Sequence, residues 1–175
     1  MTAPLYRNGE LIGDAPDVGY VFGVPAGPAR WRVEHSWKTK AVPTSGEAKT
    51  AWEFTATAPA GRDENPVEPA MIRPAYDPYV ALDGSTPARR PMRFDLDLSY
   101  PDGAGVPVKS ARLWLSSDRG EHWTQAPLAR TGDAYKTVVA PWMLLPGKTL
   151  SVRTAVTDRS GNSVDQTVLD LVPVR

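Results

Sequence analysis

Cysteine is missing from this 175-residue chain. Its absence removes disulfide scaffolds, cysteine-based zinc fingers, iron–sulfur clusters and thiol catalysis. A charge excess of either sign is missing as well: 20 Lys+Arg stand against 20 Asp+Glu, a formal net charge of +0. A nucleic-acid partner needs a basic excess against phosphate, so none is expected. The longest uncharged apolar stretch runs from Val138 to Pro146, far short of the ~20 residues of a membrane-spanning helix. Met1 to Gly9 holds Arg7 and lacks the apolar region of a signal peptide. Helical periodicity is scarce too, because 18 Pro and 14 Gly punctuate the chain and Pro breaks helix interiors.

What is present is strand alternation bounded by turn chemistry. Asn8-Gly9 is the favoured pair for a type I′ hairpin, which predicts pairing of Pro4–Arg7 with Glu10–Gly13. A short strand is expected at Gly19–Val24. Arg30 to Thr39 puts Trp31, Val33, His35 and Trp37 on one face and charged residues on the other. Lys49 to Thr57 repeats the pattern with Trp52, Phe54 and Ala56 inward. After a Pro-dense stretch come strand signals at Arg93–Tyr100, Val108–Ser116, His122–Leu128, Ala134–Ala140, Leu150–Thr157 and Ser163–Val172. The expected fold is all-β: two tandem β-sandwich modules, the second immunoglobulin-like or fibronectin-type-III-like. The expected boundaries are a small module over 1–58, a Pro-rich linker over 59–75 and the larger sandwich over 76–175.

The side chains that carry chemistry point away from catalysis. His35 lies in an apolar strand face and His122 opens a hairpin strand, so both read as structural. No Gly-x-Ser-x-Gly elbow is present. Asp95 and Asp97 share a strand face and read as its solvated side rather than as a glycosidase pair. Asp158, Asn162 and Asp165 are oxygen-rich, but Asp, Gly and Asn serve hairpin turns for backbone reasons. Neither a metal nor a cofactor is expected. Ser116-x-Asp118-x-Gly120-x-x-Trp123 resembles the Asp-box of β-propellers. Here it predicts a local device: Asp118 accepting turn N–H groups, Gly120 at positive φ and Trp123 covering the hairpin. Among six Trp, only Trp114 and Trp142 are candidates for a binding surface. Trp114 is out of phase with Leu113 and Leu115, and Trp142 sits in a Pro-bracketed loop.

Three sets of segments resemble one family in order. They are Leu5-Tyr6-Arg7-Asn8-Gly9-Glu10-Leu11-Ile12-Gly13, then Val24-Pro25-Ala26-Gly27-Pro28 through Val33 with Thr50-Ala51-Trp52-Glu53-Phe54, and then Ile72-Arg73-Pro74-Ala75-Tyr76-Asp77-Pro78 with the hairpins Leu113–Trp123 and Leu150–Ser163. Together they resemble the region downstream of the catalytic domain in secreted actinobacterial subtilisin-like serine proteases. The subtilase strings His-Gly-Thr and Gly-Thr-Ser-Met-Ala are absent, so no catalytic residue carries over. The resemblance implies a noncatalytic, extracellular accessory region, with Met1 opening either a domain cut from a longer protein or a free-standing gene product. Its role would be to stabilise the enzyme or to bind a protein substrate or cell-envelope partner, and its partner would be a protein or the parent protease domain. Two other roles remain open: polysaccharide binding through Trp114 or Trp142, and protease inhibition through the Pro141–Pro146 loop.

Overall fold

The computed structural model describes residues 3–15, 25–39, 44–58, 69–101, 105–132 and 134–175. The strand expected at 19–24 and most of the expected linker, 59–68, lie outside them. Among the described residues twelve strands form two antiparallel sheets. They are β1 (Ala3–Arg7), β2 (Glu10–Ala15), β3 (Gly27–Lys38), β4 (Glu47–Ala58), β5 (Arg73–Pro78), β6 (Met92–Ser99), β7 (Val108–Ser116), β8 (Thr124–Ala126), β9 (Ala129–Thr131), β10 (Ala134–Val139), β11 (Thr149–Asp158) and β12 (Ser163–Pro173). Among the described residues a single 3-10 turn, Pro141–Met143, interrupts them.

The larger sheet runs β2-β1-β3-β4-β12-β11-β7-β8 and the smaller β5-β6-β10-β9. Strands β5 to β12 alone reproduce the A-B-E-D and C′-C-F-G orders of an immunoglobulin-type sandwich. Alternation explains the layering. On β6 and β7, Phe94, Leu96, Leu113 and Leu115 point into the gap between the sheets and are almost fully buried. Each such side chain stabilises the fold by about 1.5–3 kcal/mol through removal from water.

The described residues of 1–58 do not build a second sandwich. Their four strands all lie in one layer, continuous with β12 through seven Cα pairs from Ser163↔Glu53 to Leu169↔Glu47. Fewer than sixty residues without a disulfide or metal rarely close a core of their own. The strands instead extend an existing one: Ala48 and Trp37 join the main cluster around Phe94 and Leu113. Trp52 packs both against the group of Leu5, Trp31, Val33 and Phe54 and against that of Ile72, Val156 and Val164.

Three local expectations change. Strand β5 begins at Arg73, inside the expected linker, because alternation there tolerates Pro74 and Pro78 on an edge strand. The strand expected at 122–128 shortens to β8; Pro127 ends it, and β9 follows just beyond in the other sheet. Asp95 is not solvated. It is 8% exposed, covered by Lys136 Nζ at 3.1 Å and the Tyr79 hydroxyl at 3.5 Å, whereas Asp97 is exposed.

Candidate functional site

The face of the larger sheet turned away from the sandwich gap carries a shallow trough. Three register lines define it. The first is Arg32–Glu53–Ser163–Thr157 and the second Glu34–Ala51–Asp165–Ala155–Arg112. The third is Ser36–Lys49–Thr167–Arg153–Trp114. Along the β4–β12 seam the short outward side chains Ala51, Ser163 and Thr167 alternate with Glu53, Lys49 and Asp165, and Ala155 and Thr157 lie beyond. Long charged side chains stand on both flanks. That contrast makes a depression of about 710 Å³. A second depression of about 310 Å³ continues it toward Arg119, Gly120 and Trp123 and shares Lys49, Asp165 and Thr167 with it.

The flanking charges are paired across strands. Glu53 accepts from Arg30 and Arg32, each at 2.8 Å, and Arg32 also reaches Glu34 at 2.7 Å. The two guanidinium hydrogen bonds, Arg30 first, hold the Glu53 carboxyl below its ordinary value. Arg153 forks onto Asp165 at 3.1 and 2.7 Å while its Cζ lies 5.6 Å from the centre of the Trp114 ring. Exposed pairs of this kind contribute little stability. Their effect is geometric, since they fix the long side chains as walls.

The lower wall is the turn after β7, and its sequence explains its shape. Ser116 Oγ donates to Asp118 Oδ1 at 2.6 Å and accepts from the Gly120 N–H at 2.8 Å. Asp118 accepts the His122 N–H at 3.0 Å. Gly120 has φ +90°, and a Cβ there would stand 3.0 Å from the Trp123 ring, so the ring packs directly over the backbone. This is the turn device expected from the Asp-box-like string. Arg119 then pairs with Asp170 at 3.1 Å. Asp170 sits in a bulge of β12 at φ +57° and is held by the Thr149 hydroxyl.

Ser116, Asp118 and His122 are the residue types of a catalytic triad with different wiring. The serine hydroxyl is spent on the carboxylate and Ser116 is 1% exposed. His122 Nδ1 meets Asp118 Oδ2 at 2.7 Å on an exposed ring. Asp118, Glu121 and His122 also bring ligand-type atoms within 4.8 Å of one another, with both Asp118 oxygens already engaged by the turn. The Ser116 hydrogen bond, then those from His122, hold the Asp118 carboxyl well below its ordinary range. The Asp118 hydrogen bond raises the His122 pKa. The pair is therefore complete between the ordinary carboxylate and imidazole values. It is lost as pH rises through the raised imidazole pKa, and on the acid side only as pH falls through the depressed carboxyl pKa. A proton NMR titration of His122 is expected to give a midpoint above about 6.5, returning toward that value in Asp118→Asn. Equal midpoints in the two proteins would contradict the coupling.

Of the three oxygen-rich residues, Asp158 and Asn162 meet and Asp165 lies apart. Asp158 is fully buried, with its oxygens taken by the Asn162 N–H at 2.9 Å, Asn162 Nδ2 at 2.8 Å and the Tyr100 hydroxyl at 3.2 Å. Asp165 lies on the open face with Arg153. His35 is half-buried on the inner face. Trp114 does lie on the open face beside the trough. Trp142 is 63% exposed, on the connection between β10 and β11. The trough itself was missed by sequence reading; its signal is the run of small outward residues on neighbouring strands.

No protein-family model matches the chain, and no curated protein matches it.

Proposed function

We propose that the chain is a noncatalytic accessory region of a secreted subtilisin-like protease that holds a protein substrate or cell-envelope protein, in extended form, along the open-face trough. The trough carries the reading. It follows the strands from the Glu53–Ser163 pair to the Glu47–Leu169 pair, a run of ~20 Å at ~3.3 Å per residue, which suits about six extended residues. Its short floor leaves room for a backbone, and its paired walls offer charge of both signs to alternating side chains. The order of the segments that resemble the protease region supports the same assignment.

The test is a titration of isotope-labelled chain with unfolded casein, followed by amide shifts. Shifts are expected at Ala51, Asp165 and Thr167. No shift, or shifts confined to the smaller sheet, would overturn the binding role. Peptide hydrolysis by the purified chain, abolished by a serine-directed inhibitor, would overturn the noncatalytic one.

A polysaccharide reading is favoured by the exposure of Trp142 and by Trp114 beside the trough. Tryptophan fluorescence that shifts with cell-wall polysaccharide, and no longer does so in Trp114→Ala or Trp142→Ala, would replace the protein reading. The inhibitor reading has less support: Met143 and Leu144 are buried, and Pro141–Met143 forms a 3-10 turn rather than an extended segment.

A further inference from the structure

The inner face of the larger sheet holds a polar line between two apolar ones. His35, Thr50, Gln166 and Thr154 follow one register across β3, β4, β12 and β11. On one side run Trp37, Ala48, Val168 and Val152, and on the other Val33, Trp52, Val164 and Val156. Thr50 is 6% exposed, and its Oγ1 lies 2.9 Å from Gln166 Nε2. His35 Nε2 is buried and, among the described residues, has no hydrogen-bond partner. Thr154 is fully buried and accepts the Tyr76 hydroxyl at 3.1 Å.

A buried polar nitrogen without a partner is costly and calls for a reason. A buried hydroxyl held against the primary amide of a half-buried glutamine supplies the two halves of an acyl transfer, with a nitrogen base at the next register position. Fixed geometry of this kind replaces effective concentrations of about 10⁵ M or more. We propose that Thr50 and Gln166 condense to an intramolecular ester that cross-links β4 to β12, with His35 as the proton acceptor. Thr50 Oγ1 attacks Gln166 Cδ, one bond beyond the Nε2 it already touches. The Oγ1–Cδ bond forms and the Cδ–Nε2 bond breaks. The hydroxyl proton passes through His35 to the departing nitrogen, which leaves as ammonia. Nothing is oxidised or reduced, and no co-reactant is needed. Thr154, oriented by Tyr76, stands on the far side of Gln166 as a hydroxyl donor for the tetrahedral oxyanion.

The bond joins residues 116 apart in sequence. In a chain without cysteine it ties the first four strands covalently to the sandwich.

The experiment is intact-mass spectrometry of the purified full chain, with tandem mass analysis of a proteolytic digest. The expected mass is lower than the sequence mass by one ammonia, with one linked peptide pair containing Thr50 and Gln166. Thr50→Val is expected to show the full sequence mass, Thr50→Ser to keep the loss, and His35→Ala to retain the Gln166 amide. Circular dichroism checks that Thr50→Val is folded; Gln166→Leu replaces it if it is not. A wild-type chain still at full sequence mass after prolonged incubation at neutral pH would overturn the proposal. So would an ammonia loss that persists in Thr50→Val, which would belong to succinimide formation at Asn8-Gly9. Ester formation in His35→Ala at the wild-type rate would remove His35 from the scheme.

Discussion

Trp52→Ala is expected to lower the stability of the whole chain by about 2–3 kcal/mol, below the range for a fully buried aromatic because Trp52 is half-buried, and to do so in a single unfolding transition. Trp52 is the side chain shared by two apolar groups. Its indole Nε1 donates to the Ile72 carbonyl at 2.8 Å, just before β5 begins. Truncation therefore opens a cavity on both sides of β4 and frees the entry into the smaller sheet. Thermal or urea unfolding measures the effect, at about 2–4 °C in Tm per kcal/mol for a chain of this size. Were 1–58 an independent module, the variant would instead unfold in two steps, with the later step unchanged. That outcome would refute a shared core.

Asp158→Ala is expected to cost about 2–4 kcal/mol, because it leaves several buried donors unsatisfied at once. The carboxylate closes the β11–β12 turn through two bonds from Asn162 and reaches the Tyr100 hydroxyl beyond β6. Asn162 Oδ1 in turn accepts the Thr55 N–H of β4 at 3.2 Å. One buried side chain thus coordinates both sheets and the first four strands. Burial, reinforced by the Asp158 charge, raises the Tyr100 phenol pKa, so the hydroxyl keeps its proton for this bond across the neutral range. Urea midpoints of Asp158→Ala and Asp158→Asn are the check. The asparagine, which keeps one acceptor, should lose less. Equal midpoints for wild type and Asp158→Ala would show that the network contributes nothing.

Much of the fold was legible as alternation. Phe94-Leu96 and Trp31-Val33 declared their inward faces because a strand has a period of two. The phase of Trp114 against Leu113 and Leu115 placed it outward. The Asn8-Gly9 pair and the Ser116–Trp123 string announced their turns because that chemistry is local. The pairing of β4 with β12 was not legible. Neither strand differs in pattern from one that ends a sheet, and the contact spans more than a hundred residues of chain. The trough and the polar line depend on that pairing. Ala51 is only a small outward residue until Asp165 and Ala155 stand beside it, and Thr50 is only a buried threonine until Gln166 is its neighbour. The Pro-rich stretch misled for a related reason: a linker and an edge strand share a composition, and only the ladder Arg73↔Ser99 to Pro78↔Phe94 separates them.

The position of β12 has a further consequence. In the strand order of the immunoglobulin sandwich it is the last strand of its sheet, and here that means eleven residues whose unpaired amides would recruit any passing strand. The β3–β4 hairpin occupies that rim. The free border moves out to β2, where Gly13 and a register slip interrupt the ladder. A broken, six-residue border is a poor template for association between copies. The first strands thus act as a guard against aggregation for the sandwich they extend.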